Sequence, residues 1–168
     1  MSLGIVVMGV SGCGKSTLGA ALADALGIPF VEGDGLHPPA NVAKMAAGIP
    51  LNDEDRRPFL DNVADALIAN RAAGCVVSCS ALKRGYRDRL RARAGADIRF
   101  VLPLLSKDSL VRRMSAREGH FMPVQLLDSQ LATLEMPDEE EAVIVVPGDL
   151  PLDAQLAAVR SALSGETA

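Results

Sequence analysis

Gly9, Gly14, Lys15 and Ser16 stand at the G-x-x-x-x-G-K-[ST] spacing of a loop that grips phosphate. Glycine has no Cβ to bar positive φ angles, so successive backbone N–H groups can close around phosphate oxygens. Residues Gly9, Ser11, Gly12, Cys13, Gly14, Lys15, Ser16 and Thr17 make up that cradle. The Lys15 ammonium is expected on the β- and γ-phosphates, and the Ser16 hydroxyl on Mg²⁺. An apolar run precedes the loop and reads as a buried strand; helical spacing begins at Lys15. The helix start adds unpaired N–H donors and the positive end of its dipole. This pattern implies binding of a nucleoside triphosphate.

A second candidate for chemistry is Asp34, which closes the next strand-like run, Pro29–Glu32. From Ser16 the helix descends about ten residues at ~1.5 Å each, and the following segment climbs back at ~3.3 Å each. The lengths nearly cancel, so Asp34 returns to the sheet edge that holds the phosphates, where open α/β sheets bind ligands. A carboxylate there can orient an acceptor hydroxyl, take its proton and hold a water on the metal. Beyond it, Asp34, His37, Asn41, Lys44, Asp53 and Arg56 make a segment dense in groups that bind hydroxyls or clamp an anion. Other classes with the same loop are disfavoured. There is no Asn-Lys-x-Asp guanine reader and no Asp-x-x-Gly loop following a strand, and the third strand ends in Ser78-Cys-Ser80 without an acid.

The elements that must position these groups alternate. Helical spacing at Leu18, Ala21, Leu22, Ala25 and Leu26 stops at Gly27. Pro38-Pro39 opens a short helix through Ala47, and Asn52 or Asp53 caps a long one carrying Phe59, Leu60, Val63, Leu67 and Ile68. Strands follow at Cys75–Cys79, Ile98–Leu102 and Ala142–Val146, separated by helices near 82–94, 106–118 and 123–134 and closed by one on Leu152, Leu156, Val159 and Leu163. Alternation of this kind predicts an α/β fold with a parallel sheet covered on both faces. The acidic run Asp138–Glu141 reads as a solvated connection.

Length suits one domain, 1–168, with an aliphatic core, since Trp is absent and Tyr occurs once. A formal net charge of −4 argues against a dedicated nucleic-acid binder, the basic helix at Lys83–Arg93 notwithstanding. Cys13, Cys75 and Cys79 form no C-x-x-C pair and read as reduced thiols of a cytoplasmic protein. The loop begins within nine residues of Met1, so no signal peptide is expected ahead of the fold, and no apolar run approaches a membrane span.

Over residues 33–58 the pattern G-D-x-x-H-P-x-x-N-x-x-K-M-x-x-G-x-P-L-x-D-x-D-R-x-P resembles the segment that distinguishes gluconate kinases among small P-loop kinases. The likeness continues in Cys79-Ser-Ala-Leu-Lys83, Tyr86-Arg-Asp88 and Arg117-Glu-Gly-His-Phe121. Two positions depart from it: Phe59, where the family has Trp, and Cys13, where Ser is commoner. The resemblance implies a P-loop kinase fold with strand order 2-3-1-4-5 and ATP-dependent phosphorylation of D-gluconate at its 6-hydroxyl. It also implies an acceptor-binding segment at 34–60, a small lid at about 113–124, and a homodimer. An anionic acceptor needs a cationic clamp, for which Arg56 with Arg84 or Arg87 is suited. His37, Asn41, Lys44 and Ser80 would meet the hydroxyls, with His120 beside them. In the lid, Arg117 would sit on the phosphates, and Arg113 would stack on adenine opposite Pro147. A shikimate-kinase-like enzyme would lack the His-Pro…Lys-Met segment and carry a glycine triplet where this chain has Ser80-Ala-Leu82. A non-catalytic nucleotide sensor would show no acceptor-stimulated ADP release.

Overall fold

Strand β1 (Gly4–Val7) lies at the centre of a five-stranded parallel sheet, between β3 (Cys75–Ser78) and β4 (Arg99–Leu104), with β2 (Phe30–Glu32) and β5 (Ile144–Pro147) at the edges. The order is thus β2-β3-β1-β4-β5, as the family resemblance implied. The computed structural model describes residues 3–116 and 124–165.

Side chains alternate across the sheet with the period of two that extended backbone imposes. Ile5, Val7, Val76 and Val101 face one layer, packed with Leu18, Leu22 and Val159. That layer is α1 (Lys15–Leu26) and α7 (Leu152–Gly165). Val6, Met8, Cys75, Val77, Phe100 and Leu102 face the other, against Phe59, Leu60, Val63, Leu67 and Leu90. These come from α3 (Asp53–Ala69) and α4 (Arg84–Ala94). A third cluster lies beneath the phosphate loop. There Val10, Cys13 and Leu82 meet Leu110 of α5 (Lys107–Ala116) and Leu127 of α6 (Val124–Thr133).

Helix ends follow local chemistry. Gly27 caps α1 in the left-handed region at φ 68, where glycine pays no Cβ penalty. Asn52, rather than Asp53, caps α3: its side chain accepts from Asp55 N–H at 2.8 Å, while Asp55 Oδ2 accepts from Asn52 N–H at 3.0 Å. This is a capping box closed by Asp instead of Glu. Of the apolar stripe expected on α3, Ile68 is exposed. The short α2 (Pro39–Ala46) starts with proline at its first position, as expected.

Register decides where the site is. Val7 and Glu32 both pair with Ser78, so β1, β3 and β2 end on one row. The loop after Val7 and the turn after Glu32 therefore leave the same sheet edge, about 10 Å apart across β3. Contrary to expectation, Asp138–Glu141 is not simply solvated: residues Glu139–Glu141 form a 3-10 turn whose last carboxylate is buried against α4.

Candidate active site

The phosphate loop is built by three left-handed glycines, Gly9 (φ 134), Gly12 (φ 83) and Gly14 (φ 93), the last placed immediately before α1. Lys15 Nζ donates to the Val10 carbonyl at 3.1 Å, which lays the ammonium along the loop. Cys13 is buried, and its sulfur would be 2.7 Å from a Cβ at Gly9, so this side chain fills space behind the loop. Burial pushes its thiol up, against the nearby Lys15 charge. The Ser16 and Thr17 side chains are exposed, and Ser16 makes no side-chain hydrogen bond among the described residues. Beside the loop a cleft of about 330 Å³ is bordered by Gly12, Gly14, Thr17, Arg113, Leu150 and Leu152. Arg113 donates to the Gly148 carbonyl at 2.7 Å, and Gln155 donates to Gly148 and Leu150 carbonyls, which shapes the turn after β5.

Asp34 sits in a 3-10 turn, Gly33–Leu36, that continues β2. The turn is pinned to β3 by Ser78, whose hydroxyl accepts from Gly33 N–H at 3.0 Å and donates to Glu32 Oε1 at 2.5 Å. Gly33 is obligatory: a Cβ there would lie 1.7 Å from the Ser78 carbonyl oxygen. The Asp34 carboxylate is exposed and forms no hydrogen bond or ion pair among the described residues. Its position relative to the loop shows in the electrostatics. The Cys79 thiol, pushed up to about 12 by burial, feels both the Lys15 cation and the Asp34 anion. Likewise His37 feels both Asp34 and Arg56, while burial holds its imidazole below the usual value. Charge thus links Lys15 with Asp34 through Cys79, and Asp34 with Arg56 through His37.

His37 stacks on Phe59 with ring centroids 3.7 Å apart and planes 11° from parallel. The face of the aromatic ring is therefore in use, which a phenyl ring supplies without an indole N–H. Asn41 Nδ2 donates to the Asp55 carbonyl at 2.8 Å and to His37 Nδ1 at 3.3 Å. An amide nitrogen is donor only, so Nδ1 accepts and the imidazole proton stays on Nε2, free to donate. Further along, Arg56 donates to the Tyr86 hydroxyl at 3.0 Å, and that hydroxyl donates to Asp53 Oδ1 at 2.5 Å. Lys83 Nζ donates to the same Asp53 oxygen at 3.1 Å. Both cations stand over the Tyr86 ring, at 5.4 and 5.6 Å from its centre. Asp53, Arg56, Lys83 and Thr133 border an open basin of about 510 Å³.

The AAA domain family matches residues 5–137. A gluconokinase of Gluconobacter oxydans is 53% identical over 156 residues, spanning 90% of this chain and 86% of that protein. The chain belongs to the gluconokinase family. A solved gluconokinase from Sinorhizobium meliloti superposes with TM-score 0.89 at 48% identity, over 96% of this chain and 91% of that one. A shikimate kinase from Aquifex aeolicus, at TM-score 0.62 and 15% identity over 98% of each chain, shares the fold alone.

Within this gluconokinase-family site, several sequence expectations need correction. Arg87 is no clamp for a carboxylate: it is fully buried, its Nε and Nη2 donate to Glu141 at 2.7 and 2.9 Å, and its remaining donors reach the Ala81, Leu82 and Glu135 carbonyls. Arg84 points to a surface network with Asp88, Asp138 and Glu140. Asn41 is buried and orients His37 instead of facing a ligand. Lys44 bridges to Asp55 at 2.8 Å and ties α2 to the start of α3. The Ser80 carbonyl accepts from Gly9 N–H at 3.1 Å, a backbone contact that leaves the expectation for its hydroxyl as it was. The apolar wall of the cleft comes from Leu18, Leu150 and Leu152, and Pro147 adjoins the Gly148 carbonyl that Arg113 holds. Arg117 and His120 lie outside the described residues. Sequence reading missed Ser78, Tyr86 and Lys83 as site builders. The last two were inside the quoted family pattern, and the chain's single tyrosine three residues from a lysine was the available signal.

Proposed function

We propose that this chain transfers the γ-phosphoryl group of ATP to the 6-hydroxyl of D-gluconate, giving 6-phospho-D-gluconate and ADP. One observation carries the reading. The phosphate loop and the turn bearing the unengaged Asp34 carboxylate leave the same sheet edge, and Arg56 and Lys83 stand together over Tyr86 on an open basin.

In this reading the loop amides and Lys15 hold the β- and γ-phosphates. Asp34 aligns the 6-hydroxyl and receives its proton as the hydroxyl oxygen bonds to phosphorus and the bond to the ADP oxygen breaks. Phosphoryl transfer asks for positioning and charge neutralisation more than covalent help. Arg56 and Lys83, not Arg84 or Arg87, take the gluconate carboxylate. Arg56 spends one donor on Tyr86, which leaves its fork open for a bidentate contact. His37 Nε2–H donates to a hydroxyl of the sugar chain. Arg117 adds positive charge near the transferred group, and Arg113 borders the base.

Mg²⁺ fits the donors present. No cluster of three or more His, Cys, Asp or Glu side chains forms a cage among the described residues. This ion keeps several waters and binds through one or two protein oxygens plus phosphates, for which the Ser16 hydroxyl and Asp34 suffice. When bound it would supply charge neutralisation on the phosphates. The reading also includes a single domain working as a homodimer in the cytoplasm; light scattering in solution checks the dimer. Among the described residues no helix is long and apolar enough to cross a membrane.

A coupled ADP assay against aldonic acids, neutral sugars and shikimate tests the assignment. Release of ADP that depends on gluconate is expected. Release with shikimate alone, or release indifferent to any acceptor, overturns it.

A further inference from the structure

Gln130, on α6, reaches the phosphate loop from 119 residues away in sequence. Its side-chain amide meets Ser11 at two points: Ser11 N–H donates to Oε1 at 2.7 Å, and Nε2 donates to Ser11 Oγ at 3.2 Å. On the other edge of the same peptide unit, the Val10 carbonyl accepts Lys15 Nζ at 3.1 Å. The Val10–Ser11 peptide is therefore held at both ends, by the loop's own lysine and by a helix that is no part of the loop. Leu127, one turn earlier on α6, is fully buried with Val10 and Cys13. The apolar contact seats the helix against the loop, and Gln130 is the polar contact that orients the peptide.

We propose that Gln130 is a positioning residue for phosphoryl transfer. By holding the Val10–Ser11 peptide in one orientation, it keeps the Lys15 ammonium and the loop amides in the arrangement that meets the terminal phosphate. It acts through Ser11 and touches no substrate. The inference rests on the kinase reading of the site.

Three variants test it: Gln130→Met, which keeps the length and loses both hydrogen bonds; Gln130→Glu, which keeps an acceptor for Ser11 N–H but brings a negative charge; and Ser11→Ala, which loses only the hydroxyl contact. Denaturation midpoint, nucleotide-analogue Kd, kcat and both KM values are read for each. Gln130→Met should lower kcat about tenfold, as loss of two modest hydrogen bonds in the transition-state geometry predicts. The gluconate KM should stay within about twofold, because the acceptor arm is untouched. Gln130→Glu should weaken nucleotide binding more than Gln130→Met does, with the difference shrinking as salt is raised. Ser11→Ala should lose less kcat than Gln130→Met. Wild-type kcat in Gln130→Met, or a loss no larger than its folded fraction accounts for, overturns the proposal. Should the wild type release no acceptor-dependent ADP, the kinase reading fails by itself. Nucleotide Kd then decides for Gln130, with equal values in wild type and Gln130→Glu counting against it.

Discussion

Asp34 carries the largest share of the proposed chemistry, and its test is the sharpest at the level of single residues. Replacing it with Asn keeps size and hydrogen-bonding capacity but removes the charge that would take the proton. Turnover should fall by about 10²–10⁴, while nucleotide Kd stays within a few fold because the loop amides and Lys15 are unaltered. Turnover at the wild-type rate would remove Asp34 from the mechanism. The cationic arm makes a different demand. Arg56→Ala and Lys83→Ala should each raise the gluconate KM by about tenfold or more, the loss of a charge-assisted hydrogen bond, with the ATP KM nearly constant. The reverse pattern would move these side chains to the nucleotide. Both targets differ in how they could be seen in advance. Asp34 was legible from chain lengths alone, since helix descent and strand ascent are fixed rises per residue. Lys83 was not, because it shares Asp53 with a tyrosine whose hydroxyl also holds Arg56, a three-dimensional relation that spacing does not encode.

Two element contacts hold the site's scaffold, and each makes a measurable claim. The first is the approach of β2 to β3. Gly33→Ala would put a methyl 1.7 Å from the Ser78 carbonyl oxygen, and backbone on both sides leaves nothing flexible to yield. The turn bearing Asp34 must shift, so stability should drop by about 1–3 kcal/mol or more in urea denaturation, and kcat should fall with it. The second is the seat of α4, where Arg87 and Arg91 share the buried carboxylate of Glu141. Hydrogen bonding from Arg87 holds that carboxyl below its usual range, against burial, which pushes it up. A depressed carboxyl contributes stability that is present above the unfolded-state value, about 4.3, and lost as pH falls through the folded-state value. Glu141→Gln leaves Arg87 charged and uncompensated, costing about 3–5 kcal/mol near neutral pH. Its midpoint should approach that of the wild type as the solution becomes more acidic. A difference that persists unchanged to low pH would deny the linkage. In the sequence this pair was hidden in opposite ways. Glu141 sat in a run of acids that composition assigns to solvent, and Arg87 in a helix of six cations that suggested a ligand or nucleic acid. The structure pairs each member of that helix face with an acid: Lys83 with Asp53, Arg84 with Asp138, Arg89 with Asp61 and Arg93 with Asp65.

At the scale of the whole molecule, the alternation of strands and helices and the two-sided core were legible because apolar period and glycine stops are local properties, whereas the strand order came from the family resemblance. What binds on the finished edge is a matter of the whole charge distribution. The chain carries a net −4, yet both proposed ligands are anions, so their binding energy must come from the edge against a mildly repulsive background. Ligand-linked stability measures that directly. A non-hydrolysable ATP analogue at 100 times its Kd should stabilise the fold by about 2.7 kcal/mol. For a chain of this size that is a rise in Tm of roughly 5–10 °C. Lys15→Ala should lose most of the rise. Gluconate added with the analogue should raise Tm further in the wild type and not in an Arg56→Ala/Lys83→Ala double variant, whose nucleotide response stays intact. Because each ligand is tested against a variant of its own site, a missing gluconate increment with a normal analogue shift would isolate the error to the acceptor arm. A missing analogue shift would place it in the loop. An increment from shikimate in place of gluconate would keep the architecture and reject the sugar acid.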